Sequence, residues 1–153
     1  MTNKQRTLEQ TINEFNDDFS NQRLDEVMRY FSSNATFHGL DGKVAHGEID
    51  IRKAFNRLFD GAYGDVVFVP KNLVIDEDKN EASFVWDCQH KLNTKPKSGM
   101  INKLLFSLMK IMYGNSFYWE GIDYFIFDEN HKIVSKQSYG KSTLPKFIRG
   151  LAN

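Results

Sequence analysis

The chain has 153 residues with 20 basic and 20 acidic side chains, a length suited to one hydrophobic core and a charge balance that supplies no sustained positive field for nucleic acid. Its one cysteine, Cys88, excludes an internal disulfide framework, and no CxxC or HExxH spacing offers a metal-ligand set, so a reducing, cytoplasmic setting with no metal or other cofactor is expected. The polar opening MTNKQRTLEQ lacks the apolar core of a secretory signal, and no apolar run reaches the roughly 20 residues of a membrane span.

Helical spacing comes first. Leu8, Ile12, Phe15 and Phe19 form a stripe behind a Thr7–Gln10 capping box, and after the polar break SNQR, Leu24, Val27, Met28 and Phe31 repeat it. NATFHG reads as a short strand. Gly39, Gly42 and Gly47 punctuate a turn-rich link, beyond which Ile51, Ala54, Phe55, Leu58 and Phe59 predict a third helix.

From Gly64 onward the pattern is mainly strand. DVVFVPKNLVID is β-branched with an interruption at Pro70 that suggests a bulge or an edge, and EASFVWDCQHKL alternates as Ala82, Phe84, Trp86, Cys88, His90. Between two strands lies the segment 96–115, PKSGMINKLLFSLMKIMYGN, whose Met100, Leu104, Leu108, Ile111 and Met112 occupy one helical side and Lys103, Ser107 and Lys110 another. Such an insertion suits a lid hinged at Gly99 and Gly114, an extra core helix or a partner surface. Helices followed by a meander give an α+β fold in one domain spanning 1–153. With 13 Phe, 6 Tyr and 2 Trp, that domain has ample material for aromatic walls.

The segment WEGIDYFIFDENHKIVSKQSYG, residues 119–140, sets an acid in the middle of an apolar strand. If DENH closes a hairpin in which Phe127 faces Lys132, then Phe125 faces Val134 and Asp123 faces Lys136, close enough for an ion pair. Trp119, Gly121, Phe125 and Phe127 share the side of Asp123. The opposite side, with Ile122, Tyr124 and Ile126, is nearly as apolar, so periodicity leaves open which side faces the helices.

The element order, the segment FSSNATFHG and above all GIDYFIFDENHKIVSKQSYG resemble the nuclear transport factor 2-like superfamily, and within it the SnoaL-like and ketosteroid isomerase-like proteins. The resemblance implies a cone-shaped, curved antiparallel sheet packed against three N-terminal helices, with the stretch 96–115 as an extra helical insertion. It implies a deep apolar cavity, a homodimer formed through the sheet, and inward-facing Asp123, Lys136, Trp119 and Trp86. Asp123 matches the aspartic acid that binds the developing oxyanion in ketosteroid isomerases. Their general-base aspartate falls near Gly39 and their oxyanion-binding tyrosine on Phe15, so steroid isomerisation is not expected.

The catalytic candidates are Asp123 and His38, an imidazole beside the unfilled base position that needs a bulge to turn inward. Lys136, Phe15, Trp86, Trp119, Phe125 and His90 are the candidates for binding an apolar, oxygen-containing small molecule, with His90 at the cavity mouth. Cys88 reads as a small buried hydrophobe, because no cation or histidine is evidently placed to lower its pKa. Competing with an acid/base enzyme is a non-catalytic interaction module, dimerising through exposed Tyr118, Ile122 and Tyr124. Membrane-surface association through Lys103 and Lys110 is the weakest reading, two lysines giving little attraction to anionic lipid.

Overall fold

Thr7 and Gln10 start the first helix reciprocally: the Gln10 N–H donates to the Thr7 hydroxyl and the Thr7 N–H to the Gln10 amide oxygen, both at 3.2 Å. The computed structural model describes residues 6–60, 65–92 and 100–141. Helices α1 (Leu8–Ser20) and α2 (Leu24–Met28) lead into β1 (Phe31–His38) and β2 (Val44–His46); α3 (Gly47–Phe59) follows, then β3 (Asp65–Asp76), β4 (Glu81–Lys91), α4 (Met100–Tyr113), β5 (Ser116–Phe127) and β6 (Ile133–Lys141). The second helix ends earlier than its apolar stripe. Phe31 opens β1 instead, in register with Ile133, whose N–H donates to the Tyr30 carbonyl at 2.8 Å.

The six strands form one sheet in the order β2-β1-β6-β5-β4-β3. β3 to β6 make the expected antiparallel meander, and β1 joins it alongside β6 as a parallel pair. The ladder of β3 on β4 shifts between Pro70 and Asn72, and β3 is an edge of the sheet, both positions that tolerate a proline without an N–H. Along β4 the alternation holds throughout, with Ala82, Phe84, Trp86, Cys88 and His90 all buried. Phe125 meets Phe15 of α1 edge-on at 5.6 Å, so the face carrying Asp123 is the helix-covered one.

The β5–β6 register differs from the sequence expectation by two residues. Asp128 closes the turn: its N–H donates to the Lys132 carbonyl, its Oδ1 accepts from the N–H groups of Asn130 and Lys132, and His131 adopts a left-handed φ of 57°. Phe127 therefore pairs with Ile133, and the ladder shifts again before Ile126 meets Ser135, leaving Val134 as the extra residue. Asp123 faces Ser138 and Phe125 faces Lys136. A displacement of two preserves the side on which every residue lies, so Asp123 and Lys136 still share a face.

α4 is seated differently from its expected stripe. Phe106, Met109 and Tyr113 pack on Leu92, Phe117 and Trp119, whereas Met100, Leu104, Leu108 and Ile111 are exposed. Gly114, with φ of 90°, ends the helix, its N–H donating to the Lys110 carbonyl. Gly99, the other expected hinge, lies outside the described residues.

One cross-strand pair holds the middle of the sheet closed. Trp86 pairs with Gly121, and a Cβ on Gly121 would lie 2.4 Å from two indole carbons and 2.8 Å from the Tyr139 carbonyl oxygen. Gly121→Ala should therefore destabilise the fold by about 1–3 kcal/mol through overpacking, seen as a lower midpoint in urea without a change in slope.

Candidate functional site

Three side chains on β5 and β6 form a closed polar ring in the apolar interior. Lys136 Nζ lies 2.8 Å from Asp123 Oδ2 and donates to Ser138 Oγ at 2.8 Å; the Ser138 hydroxyl donates to Asp123 Oδ1 at 2.6 Å. The Asp123 and Lys136 side chains are only 10% and 4% exposed, so the carboxylate is paired through both oxygens out of contact with bulk water. The ammonium also sits 5.1 Å from the ring centroid of Phe37 and 5.6 Å from that of Phe125. Burial pulls the Lys136 pKa below the ordinary amine value, against the opposing pull of Asp123. A lysine so placed releases a proton more readily than one in water.

Ser138 escaped the sequence reading, although it stands two residues from Lys136 on the same strand face. So did the contact between Cys88 and His90, whose Sγ and Nε2 are 3.2 Å apart. Burial, with a smaller contribution from Asp123, pushes the thiol up to about 12, so Cys88 is protonated at neutral pH. This histidine is fully buried rather than at a cavity mouth, stacked on Phe117 at 4.4 Å and 4.6 Å from Trp119.

The aromatic candidates are gathered around the ring. Phe15 and Phe125 pack on each other as core, and Trp86 lies over Gly121, diagonally from Asp123. Among the described residues no acceptor meets the buried indole N–H of Trp86, an arrangement that costs about 1–3 kcal/mol when left unmade. Trp119 is half-buried and touches both the main core and the α4 cluster.

His38 is not brought to this group. Phe37 packs on Phe55 at 4.9 Å and on the main core, and the regular pairing of residues 36–38 with both β2 and β6 turns His38 to the other side of the sheet. The bulge that would bring it inward is absent there. A groove of about 390 Å3 lies apart from the ring, beside the β5–β6 turn, bordered by Arg6, Glu26, Arg29, Tyr30, His131 and Lys132. None of the candidate residues lines it. No group of three or more His, Cys, Asp or Glu among the described residues could hold a metal ion.

A sequence model of the SnoaL-like domain matches residues 12–136, which include β5, the β5–β6 turn and the start of β6 as far as Lys136. The chain belongs to the SnoaL-like domain family. No curated protein matches it, but many solved structures share its fold. The epoxide hydrolase/cyclase-like enzyme SalBIII of pyran ring formation in polyether salinomycin superposes with a TM-score of 0.65 at 17% identity, over 90% of this chain and 93% of its own. A nuclear transport factor 2-like protein from Exiguobacterium sp. 255-15 gives 0.63 at 20%, over 87% and 99%. A protein with a ketosteroid isomerase-like fold from Catenulispora acidiphila DSM 44928, in complex with trimethylamine, gives 0.64 at 11%, over 87% and 86%. At these identities the likeness is one of fold.

The charge balance of the ring predicts what breaking it will cost. Lys136→Met leaves the Asp123 carboxylate buried without its cation and should cost about 3–5 kcal/mol at neutral pH. Adding Asp123→Asn should recover most of the loss, which denaturant melts at neutral pH will read directly.

Proposed function

We propose that this SnoaL-like domain binds an apolar, oxygen-containing small molecule beside the Asp123–Ser138–Lys136 ring and acts on it by proton transfer, as an isomerase, cyclase or hydrolase. The ring carries the reading. A buried carboxylate and a buried amine of lowered pKa, hydrogen-bonded through one hydroxyl, form an acid/base couple shielded from water. In a ring closure, Asp123 takes the proton of the attacking hydroxyl while Lys136 gives one to the oxygen that leaves carbon. Ser138 returns a proton between them, so the product is an isomer and no co-reactant is consumed. In hydrolysis a water molecule takes the place of the attacking hydroxyl.

Two further features support an oxygenated, apolar ligand. The Trp86 N–H is a buried donor that a ligand oxygen would satisfy, and the surroundings are aromatic. Access requires the packed side chains to part. Trp119, half-buried between the main core and the α4 cluster, is the natural place for that, which makes α4 a lid seated on Phe117 and Trp119.

Because Trp86 and Trp119 are the chain's two tryptophans and both belong to this inward face, intrinsic fluorescence reports on the site. Titration with a panel of apolar epoxides and cyclic ketones should shift the emission, and turnover of the best binder should fall about 10²- to 10⁴-fold in Asp123→Asn with binding retained. Full turnover in Asp123→Asn would remove the acid/base role. A panel that leaves both tryptophans unperturbed would count against the ligand site.

A second reading has its own observation. Tyr118, Ile122 and Tyr139 are exposed on the outer face of β5 and β6, an apolar patch suited to homodimerisation through the sheet. Light scattering should give twice the monomer mass at micromolar concentration, and Ile122→Glu should return it to the monomer mass with the fold intact.

A further inference from the structure

α4 carries two apolar faces and packs only one of them. Phe106, Met109 and Tyr113 hold it to the sheet, while Met100, Ile101, Leu104, Leu105, Leu108 and Ile111 form a second face, with Met100, Ile101 and Ile111 at least three-quarters exposed. So much exposed apolar surface on consecutive turns of one helix is a docking surface.

Charge identifies the occupant. Between Asp87 and Glu120 the sequence has no acidic residue and five lysines: Lys91, Lys95, Lys97, Lys103 and Lys110. The chain as a whole balances 20 against 20, so without these five lysines 15 basic residues remain against 20 acidic ones. The positive excess is concentrated on the connection that also bears the exposed apolar face. Lys103 and Lys110, seven residues apart, stand on one edge of that face, exposed and without an ion-pair partner among the described residues. A second copy seated there by twofold symmetry would bring the basic segment against itself. An anionic bilayer surface neutralises it and buries the apolar side chains.

We propose that α4 is a membrane-surface helix that docks the protein on anionic lipid. The helix lies in the headgroup plane with Leu104, Leu108 and Ile111 in the acyl boundary, and the stems of Lys103 and Lys110 reach up to lipid phosphates. Fourteen residues rise about 21 Å, enough to lie along the interface, and no helix of the described residues is long and apolar enough to cross a membrane. Counting Lys103 and Lys110 alone understates the charge of this stretch of sequence, which also holds Lys91, Lys95 and Lys97 and no acid. The inference is independent of any chemistry at Asp123.

The test is co-sedimentation of the full chain with vesicles of phosphatidylcholine and with vesicles of equal parts phosphatidylcholine and phosphatidylglycerol. Binding should be confined largely to the mixed vesicles and weaken with added salt. Lys103→Glu/Lys110→Glu should lower partitioning on the order of tenfold or more. Leu104→Glu/Ile111→Glu should abolish it with an unchanged thermal midpoint, since both side chains are exposed in the free protein. Hydrogen exchange across residues 101–113 should slow only when anionic vesicles are present. Equal binding to both vesicle types, or to neither, overturns the proposal. Exchange across α4 that anionic vesicles leave unchanged also overturns it, and protection that instead rises with protein concentration assigns the face to a second copy.

Discussion

A carboxylate and an ammonium group taken out of water together must meet, and the β5–β6 register is what brings Asp123 to Lys136. Leaving water costs each ion several kcal/mol, recovered only when the geometry is close and the remaining hydrogen-bonding positions are filled. Ser138, directly across from Asp123, fills them by accepting from the lysine and donating to the carboxylate. A slip of a single residue would turn Lys136 to the outer face and strand Asp123 in the interior. The turn held by Asp128 and the bulge at Val134 together displace the ladder by an even number, which keeps both charges inside.

The aromatic residues around the ring determine what it can do. Phe37 and Phe125 present their ring faces to the ammonium, and α1 closes the space above through Phe15. Trp86 can lie flat only because residue 121 has no side chain. Low polarity of this kind strengthens every charge interaction within it, the condition under which a single acid/base couple is effective. It also explains the inert Cys88: the same desolvation that lowers the lysine raises the thiol, which lies against His90 as a neutral S–H.

The connection between β4 and β5 joins the interior to the outside. Its inner face rests on Phe117 and Trp119, neighbours along the strand of Asp123, while its outer face is apolar and its surroundings are basic. An apolar ligand that enters past Trp119 would leave a lipid surface to do so, and a helix docked on that surface would stand at the entrance. The two proposals thus meet at one side chain while resting on separate observations.

Much of the fold was legible locally. The capping box at Thr7, the period-3.6 stripes of α1 and α3 and the period-2 burial of β4 are short-range patterns that local geometry enforces. The facing of Asp123 was not legible, because Ile122, Tyr124 and Ile126 offer a competing apolar side; packing of Phe125 on α1 decided it. Ser138 was hidden because the turn and bulge that set its partner are backbone events which residue type constrains only loosely. His38 turned away because two neighbouring strands hold residues 36–38 of β1 in regular register, the irregularity of that strand falling earlier, between Phe31 and Thr36. The stripe of α4 misled for a related reason: both sides of that helix are apolar, and only Leu92, Phe117 and Trp119 select the side that packs. The sequence by itself determined most of the elements, the family resemblance and the placing of an acid and a base on one side of a strand pair. Tertiary structure decided their partners and facing, because register and helix seating depend on contacts between residues far apart in the chain.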